Sequence, residues 1–367
     1  MKRFVNLAVC VLAFLVFLPA VSLFAQKATP QVPVTYPGDT PETIKRRAQW
    51  IEGAKKEGTL TWWGGLSPKL AKTLIAEFNR LYPFISVDYW NAPGEEKSAK
   101  METEHAAGRY TVDILLGGET YNYPRWRKMG LLEKFVDIVP GVKKLDKRMY
   151  SKNGDYFVSY HTVVTPQYNT KLVSASDAPK GWEDLLAPKW KGHIGITSDL
   201  KVWTVLAAAE GGWGVEKTED FLRKLSQQNI IWGRGHTGHH ALMITGEYKV
   251  NAEGYVYHAL QSKKKGAPVE WIRADPVVVL GPSTAFMKHS PHPNAARLFL
   301  EWHFSPQGVL ALDKVTGSGA AYPGSGTQQS KALEGLNFVD RTEEVQLKII
   351  DLSLEKKFAN ILGVKPE

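Results

Sequence analysis

Two hydrophobic periods alternate along the chain. Leu60, Trp62 and Trp63 make an apolar strand that ends in Gly64 and Gly65. Ser67 follows as a helix cap with Pro68 at the first helical position, and Leu70, Leu74 and Phe78 form a stripe at i, i+4 and i+8. Past Pro83, Ile85, Val87 and Tyr89 alternate as a second strand. Strand, helix, strand in this order predicts a mainly parallel sheet with right-handed crossovers. Similar signals predict a helix over 95–107, a buried central strand over 112–116 leading into Gly117 and Gly118, and a helix and turn over 126–132. Residues 156–169 read as extended, since Pro166 bars a helix. Later come helices over 218–227, 294–304 and 307–312, strands over 230–232 and 249–255, an extended segment over 277–287 and a glycine-rich run over 317–326.

Between these blocks lies the most specific stretch, 179–199. Trp182, Leu185 and Leu186 fall at i, i+3 and i+4 of a short helix that Pro188 ends. Lys191 and Gly192 turn the chain into a strand at 193–196. Ser198 or Asp199 then caps a helix running through Trp203 and Leu206 to Gly211 and Gly212. The phrase Pro179, Trp182, Glu183, Asp184, Leu185, Pro188, Trp190, Lys191, Gly192, Ile194 resembles the start of the second lobe in periplasmic solute-binding proteins of ABC importers, in the group that includes the ferric-ion binders. The resemblance covers about 58–322. It implies a type II fold, two α/β lobes each with a mainly parallel sheet flanked by helices, joined by a hinge, with the ligand between them. Lobe 1 would hold 58–162 and 283–312, and lobe 2 would hold 163–282 and 313–367. The hinge would be 160–169 and 277–287. The implied partner is an inner-membrane ABC permease, with the binding protein a monomer, no catalysis and no cofactor.

Met1, Lys2 and Arg3 precede an almost purely apolar run to Phe24 with Pro19 and small residues near Ala25, the order of a secretory signal peptide. We expect a signal over 1–25, an extended leader and first helix over 26–57, and a periplasmic mature chain. Cys10, the only cysteine, lies in the signal, so the mature chain has no disulfide and depends on core burial. Removing Lys2 and Arg3 lowers the net charge from +9 to +7. Basic clusters occur over 143–148 and 263–265, without interleaved aromatics, so nucleic acid is not an expected partner.

Ligands of open α/β sheets bind beyond the carboxyl ends of strands. Four loops therefore face the cleft: 63–67, 117–123, 198–200 and 236–239. Three lead into helix starts, where free N–H groups favour an anion; an ordinary capped helix is the alternative for each. The candidate ligand residues are Trp63, Gly64, Gly65, Ser67, Glu119, Thr120, Tyr121, Ser198, His236, Thr237, Tyr255 and Tyr257, with Arg234 and His239 as further donors. Trp63 or Tyr121 would cover an apolar part of the solute. An anionic organic solute is the expected ligand.

Two other readings stay open. Gly233, Gly235 and Gly238 fit G-x-G-x-x-G after a strand, with Glu253 twenty residues on, as in a secreted NAD(P)-dependent oxidoreductase. Ferric-binding relatives carry two adjacent tyrosines. Here Tyr255 matches the first and Val256 replaces the second, so a ferric site would draw on Glu119, Tyr255 and Tyr257. His236 and His240 at i, i+4 suggest metal only weakly, for want of a nearby acid or cysteine.

Overall fold

The computed structural model describes residues 34–118, 120–136, 139, 142, 147, 150–319 and 324–365. The expected signal, most of the leader, Glu119, most of the 143–148 cluster and Tyr322 lie outside them. Among the described residues twelve strands form two sheets: β1 (Thr59–Gly64), β2 (Ser86–Asn91), β3 (Ile114–Gly118), β4 (Tyr156–Val158), β5 (Thr162–Asn169), β6 (Ile194–Thr197), β7 (Ile231–Gly233), β8 (Val250–Tyr255), β9 (Val269–Trp271), β10 (Val277–Leu280), β11 (Ser283–Phe286) and β12 (Phe338–Asp340). The first sheet runs β2-β1-β3-β11-β4. The second runs β12-β10-β5-β8-β6-β7, with β9 on β5.

Parallel pairing holds where a helix crosses over, as in β2-β1-β3 and β8-β6-β7. The strands that carry the chain between sheets, β5, β10 and β11, add antiparallel pairs, so both sheets are mixed. Pro166 sits inside β5 without an N–H to donate, and the register with β8 shifts between Thr165 and Gln167.

Apolar faces close both sheets. Trp62, Phe78, Phe299 and Trp302 pack edge-to-face or tilted at 5.1–5.7 Å on one side of the first sheet. Trp182, Trp203 and Phe221 do the same at 5.6 Å on the second. The 179–199 stretch departs from its expected form. It makes two 3-10 turns, Glu183–Leu186 and Pro188–Trp190, because Pro188 arrives before an α-helix can complete a second turn. Trp182 anchors it by donating Nε1–H to Pro276 O at 2.8 Å. The next helix is Lys201–Ala208, ending before Gly211 and Gly212, and Asp199 rather than Ser198 receives its first N–H, from Lys201 at 3.1 Å.

The chain passes from β4 to β5 through 159–161 and returns from β10 to β11 through Gly281 and Pro282. The two crossings touch: a Cβ on Gly281 would lie 2.4 Å from Tyr160 O, so only glycine fits. His303 packs beneath them, with Nε2 3.3 Å from Ser159 O and its ring on Phe157 and Phe304. Burial holds its pKa down at about 4. An unfolded histidine titrates near 6.5, so the unfolded state takes up the proton first as pH falls. Stability is therefore expected to drop between pH 6.5 and 4, by up to about 3 kcal/mol from this group. Urea melts at several pH values check this, and the slope should flatten in His303→Gln.

Candidate functional site

The carboxyl ends of β1 and β3 are tied together from behind. Lys97, in the helix Gly94–Ala106, is 1% exposed. Its ammonium donates to Gly64 O at 2.5 Å and Leu116 O at 2.6 Å. Burial lowers its pKa to about 8, which leaves it mostly charged at pH 7. Tyr89 on β2 donates its hydroxyl to Leu66 O at 2.6 Å. Gly64 has no room for a side chain, since a Cβ would lie 2.1 Å from the Tyr89 ring. The loop over 64–67 is thus held in one shape, with Gly65 and Ser67 exposed on it. Ser67 is the N-cap residue of the helix Pro68–Asn79, although its side chain makes no capping bond. Trp63 does not face the cleft. It is buried against Trp90, edge-to-face at 4.9 Å, with Lys100 Nζ 5.3 Å from its ring. Both faces of β1 are covered near its end, so the residue before the glycines belongs to the core.

After β3, Thr120 opens a 3-10 turn, Thr120–Asn122. Its Oγ1 is buried without a hydrogen-bond partner among the described residues, and Tyr121 beside it is half-buried.

The second sheet contributes a polar cluster. Glu253 on β8 is buried, and its Oε2 accepts from Thr197 N at 3.2 Å and Thr197 Oγ1 at 2.9 Å. Burial pushes its pKa up to about 8, so it is mostly protonated at pH 7. His236 starts the helix His236–Thr245 and donates Nδ1–H to Glu253 O at 2.8 Å. Its Nε2 lies 3.9 Å from Asp199 Oδ2. Burial pulls the His236 pKa down, but the Asp199 carboxylate and the Glu253 main-chain carbonyl that accepts its Nδ1–H help outweigh it, and the pKa rises overall. Burial likewise opposes ionisation of Asp199, yet His236 and Lys201 hold its pKa well below the usual range. Tyr255 stacks on His236 at 4.2 Å, and Tyr257 and His258 continue the aromatic wall. Tyr160, from the first crossing, is close enough to Tyr257 and Tyr89 for both to raise its pKa, after burial. Burial lifts all four phenols, Tyr89 and Tyr257 to about 12, so they are O–H donors at pH 7.

The structure thus brings together Gly64, Gly65, Ser67, Thr120 and Tyr121 at one edge, and Ser198, His236, Tyr255 and Tyr257 at the other. Thr237 is exposed in the first turn of its helix, whose N-cap is Gly235. Arg234 is also exposed. His239 turns inward. Tyr248 donates its hydroxyl proton to His239 O, and His239 Nδ1–H donates back to the Tyr248 oxygen, both at 2.6 Å. That ring explains Gly233, where a Cβ would strike His239 Nε2 at 2.5 Å. A Cβ on Gly238 would meet nothing, and Glu253 is sealed against Thr197, so neither serves as a dinucleotide loop uses them. His240 bonds Gln167 and Ser262 instead of sharing a metal with His236. Among the described residues no group of three His, Cys, Asp or Glu could hold a metal ion.

Tyr89, Lys97 and Tyr160 complete the arrangement and were not singled out from sequence as site residues, while Asp199 was read only as a helix cap. Lys97 alone carried a signal, since it falls at i−4 from Met101 on the buried face of its helix. Next to Thr120 the two sheets' structures are also joined by ion pairs. Arg127 binds Asp155 at 2.6 Å and Glu343 at 3.1 Å, and Lys152 binds Glu344 at 2.7 Å.

Two mixed sheets with helices on their faces, a chain that crosses between them, and polar groups gathered at strand carboxyl ends define a type II periplasmic binding fold. The chain belongs to the family of bacterial extracellular solute-binding proteins, whose family model matches residues 73–335. That family serves ABC transporters by binding solutes outside the cytoplasm and delivering them to the permease. An uncharacterized protein of Haemophilus influenzae is 23% identical over 275 residues, 70% of this chain and 75% of the relative. Among solved structures, AfuA of Actinobacillus pleuropneumoniae, with fructose-6-phosphate bound, has a TM-score of 0.65 at 20% identity, covering 84% of this chain and 100% of its own. FutA (IdiA) of Trichodesmium, in complex with iron and citrate, has a TM-score of 0.66 at 16% identity, with 84% and 100% covered. Among the described residues no helix is long and apolar enough to cross a membrane.

Proposed function

We propose that the protein captures a small organic solute bearing at least one anionic group, in a cleft between the 64–67 and Thr120 edge and the His236–Tyr255 edge. The carrying observation is that the helices Pro68–Asn79, Lys201–Ala208 and His236–Thr245 each begin just beyond the carboxyl end of a strand, β1, β6 and β7. Their N–H groups suit an oxyanion, apart from that of Lys201, which Asp199 already accepts. The charge balance agrees. Lys97 and Lys201 are cationic and His236 is drawn toward its charged form, while Asp199 is the one fixed carboxylate in this described cluster. Two structural relatives carry anionic ligands, fructose-6-phosphate and citrate. In this reading 58–162 with 283–312 and 163–282 with 313–367 move as lobes about the crossings, and the signal over 1–25 is cleaved. Tyr255 hydrogen-bonds the solute, and Tyr121 and Tyr257 cover its apolar part.

Native mass spectrometry of protein from its own periplasm should release one organic anion. Calorimetry with that anion should show at least tenfold weaker binding in Tyr255→Phe. Recovery of a neutral or cationic solute overturns the reading. Ferric iron is the second reading, on the likeness to FutA, with Glu119, Tyr255 and Tyr257 as ligands. A red protein whose colour is lost in Tyr255→Phe would establish it.

A further inference from the structure

We infer that Lys97 is a positioning residue for solute capture: its buried ammonium clasps the carboxyl ends of β1 and β3 and fixes the two solute loops of the first sheet relative to each other. The inference rests on the proposed cleft. Gly64 O lies at the end of β1 and Leu116 O two residues before the end of β3, and one nitrogen holds both at 2.5 and 2.6 Å. An ammonium has three N–H donors, so both bonds form at once. The ladder between β1 and β3 joins Trp62 to Ile114 and Trp63 to Leu115, and Lys97 bonds the next residue on each strand.

Stability does not account for a lysine here. Among the described residues no carboxylate pairs with it, it is 1% exposed, and burying an uncompensated charge is costly. A methionine would fill the same channel without that cost, though it would leave the two carbonyls apart. The lysine therefore trades fold stability for loop geometry, as binding sites commonly do. Tyr89 acts on one loop only, through Leu66 O. Lys97 acts on both.

The test is hydrogen exchange on the free protein, with melting temperature measured alongside. In Lys97→Met, the amides of Gly65, Leu66 and Ser67 and those of Gly117 and Gly118 should all exchange at least tenfold faster, while the melting temperature holds or rises. In Tyr89→Phe only the first set should speed up. Unchanged exchange in Lys97→Met, or faster exchange in one loop alone, overturns the inference. So does a fall in melting temperature with faster exchange throughout the first sheet, which would mark a structural brace. If Lys97→Met fails to fold, Lys97→Leu, which likewise removes the donors, is read by the same criteria. Titration of wild type with citrate and fructose 6-phosphate is independent of this. Binding of neither counts against the anionic cleft, whereas the exchange data decide the role of Lys97.

Discussion

Replacing Arg47 by methionine is expected to cost about 3–5 kcal/mol of unfolding free energy, the loss typical when one partner of a buried ion pair is removed. Arg47 lies in the helix Pro41–Glu57, 2% exposed, and its guanidinium is fully engaged. Nε and Nη2 donate to Glu301 at 2.7 and 3.0 Å, and Nη1 and Nη2 donate to Asp39 at 2.7 and 2.6 Å. The Tyr36 ring lies 4.5 Å from its central carbon. The two bidentate forks suit arginine and not lysine. Glu301 belongs to the helix Pro293–His303 beneath the first sheet and is 6% exposed, so the variant strands a buried carboxylate. The urea midpoint should fall sharply. Arg47→Met combined with Glu301→Leu should regain much of the loss, because removing both charges is cheaper than orphaning one. Equal midpoints for wild type and Arg47→Met would refute this account.

Gly64→Ala is expected to weaken binding of the recovered solute at least tenfold while costing about 1–3 kcal/mol of stability, the range for overpacking. The new methyl would lie 2.1 Å from the Tyr89 ring. Tyr89 cannot move freely, being pinned by its hydroxyl to Leu66 O and edge-to-face on Trp62 at 4.8 Å. Either the ring swings out and frees the loop over 64–67, or β1 retreats and draws its carbonyl from Lys97. Both outcomes disturb the proposed cleft. Gly65→Ala is the control: its Cβ would meet only a Leu116 methyl at 3.0 Å, which can shift. Trimming the ring in Gly64→Ala/Tyr89→Ala should restore stability without restoring affinity. Calorimetry and thermal melts of the three variants decide the matter.

The strand-helix-strand order was legible because it rests on local periodicity, and so were the two extended crossings, marked by Pro166 and the valine run of β10. What failed was local or long-range in specific ways. Pro188 shortened a helix that Trp182, Leu185 and Leu186 had announced. Trp63 beside two glycines resembled a ligand platform, but β1 is covered on both faces. His236 and Tyr255 were singled out through the histidine loop and the tyrosine phrase, but their stacking is carried by no spacing in the chain. Tyr89 reaches Leu66 and Lys97 reaches Gly64 across folded distance, and no spacing in the chain encodes either contact. Lys97 was masked further by Glu95 and Glu96, which make its helix start read as solvent-facing.

The strand order of the first sheet has a consequence for how the chain is made. β11 lies between β3 and β4, so β4 has no neighbour in that sheet until residues 283–286 are present. The second sheet waits longer for its edge strand, at Phe338–Asp340. A nascent chain halted before residue 283 therefore carries an open β3 edge and a stranded β4, and it has little to gain by folding early. The first sheet is therefore completed only after the chain has made both crossings, whereas β5 to β10 of the second sheet are already present by residue 280.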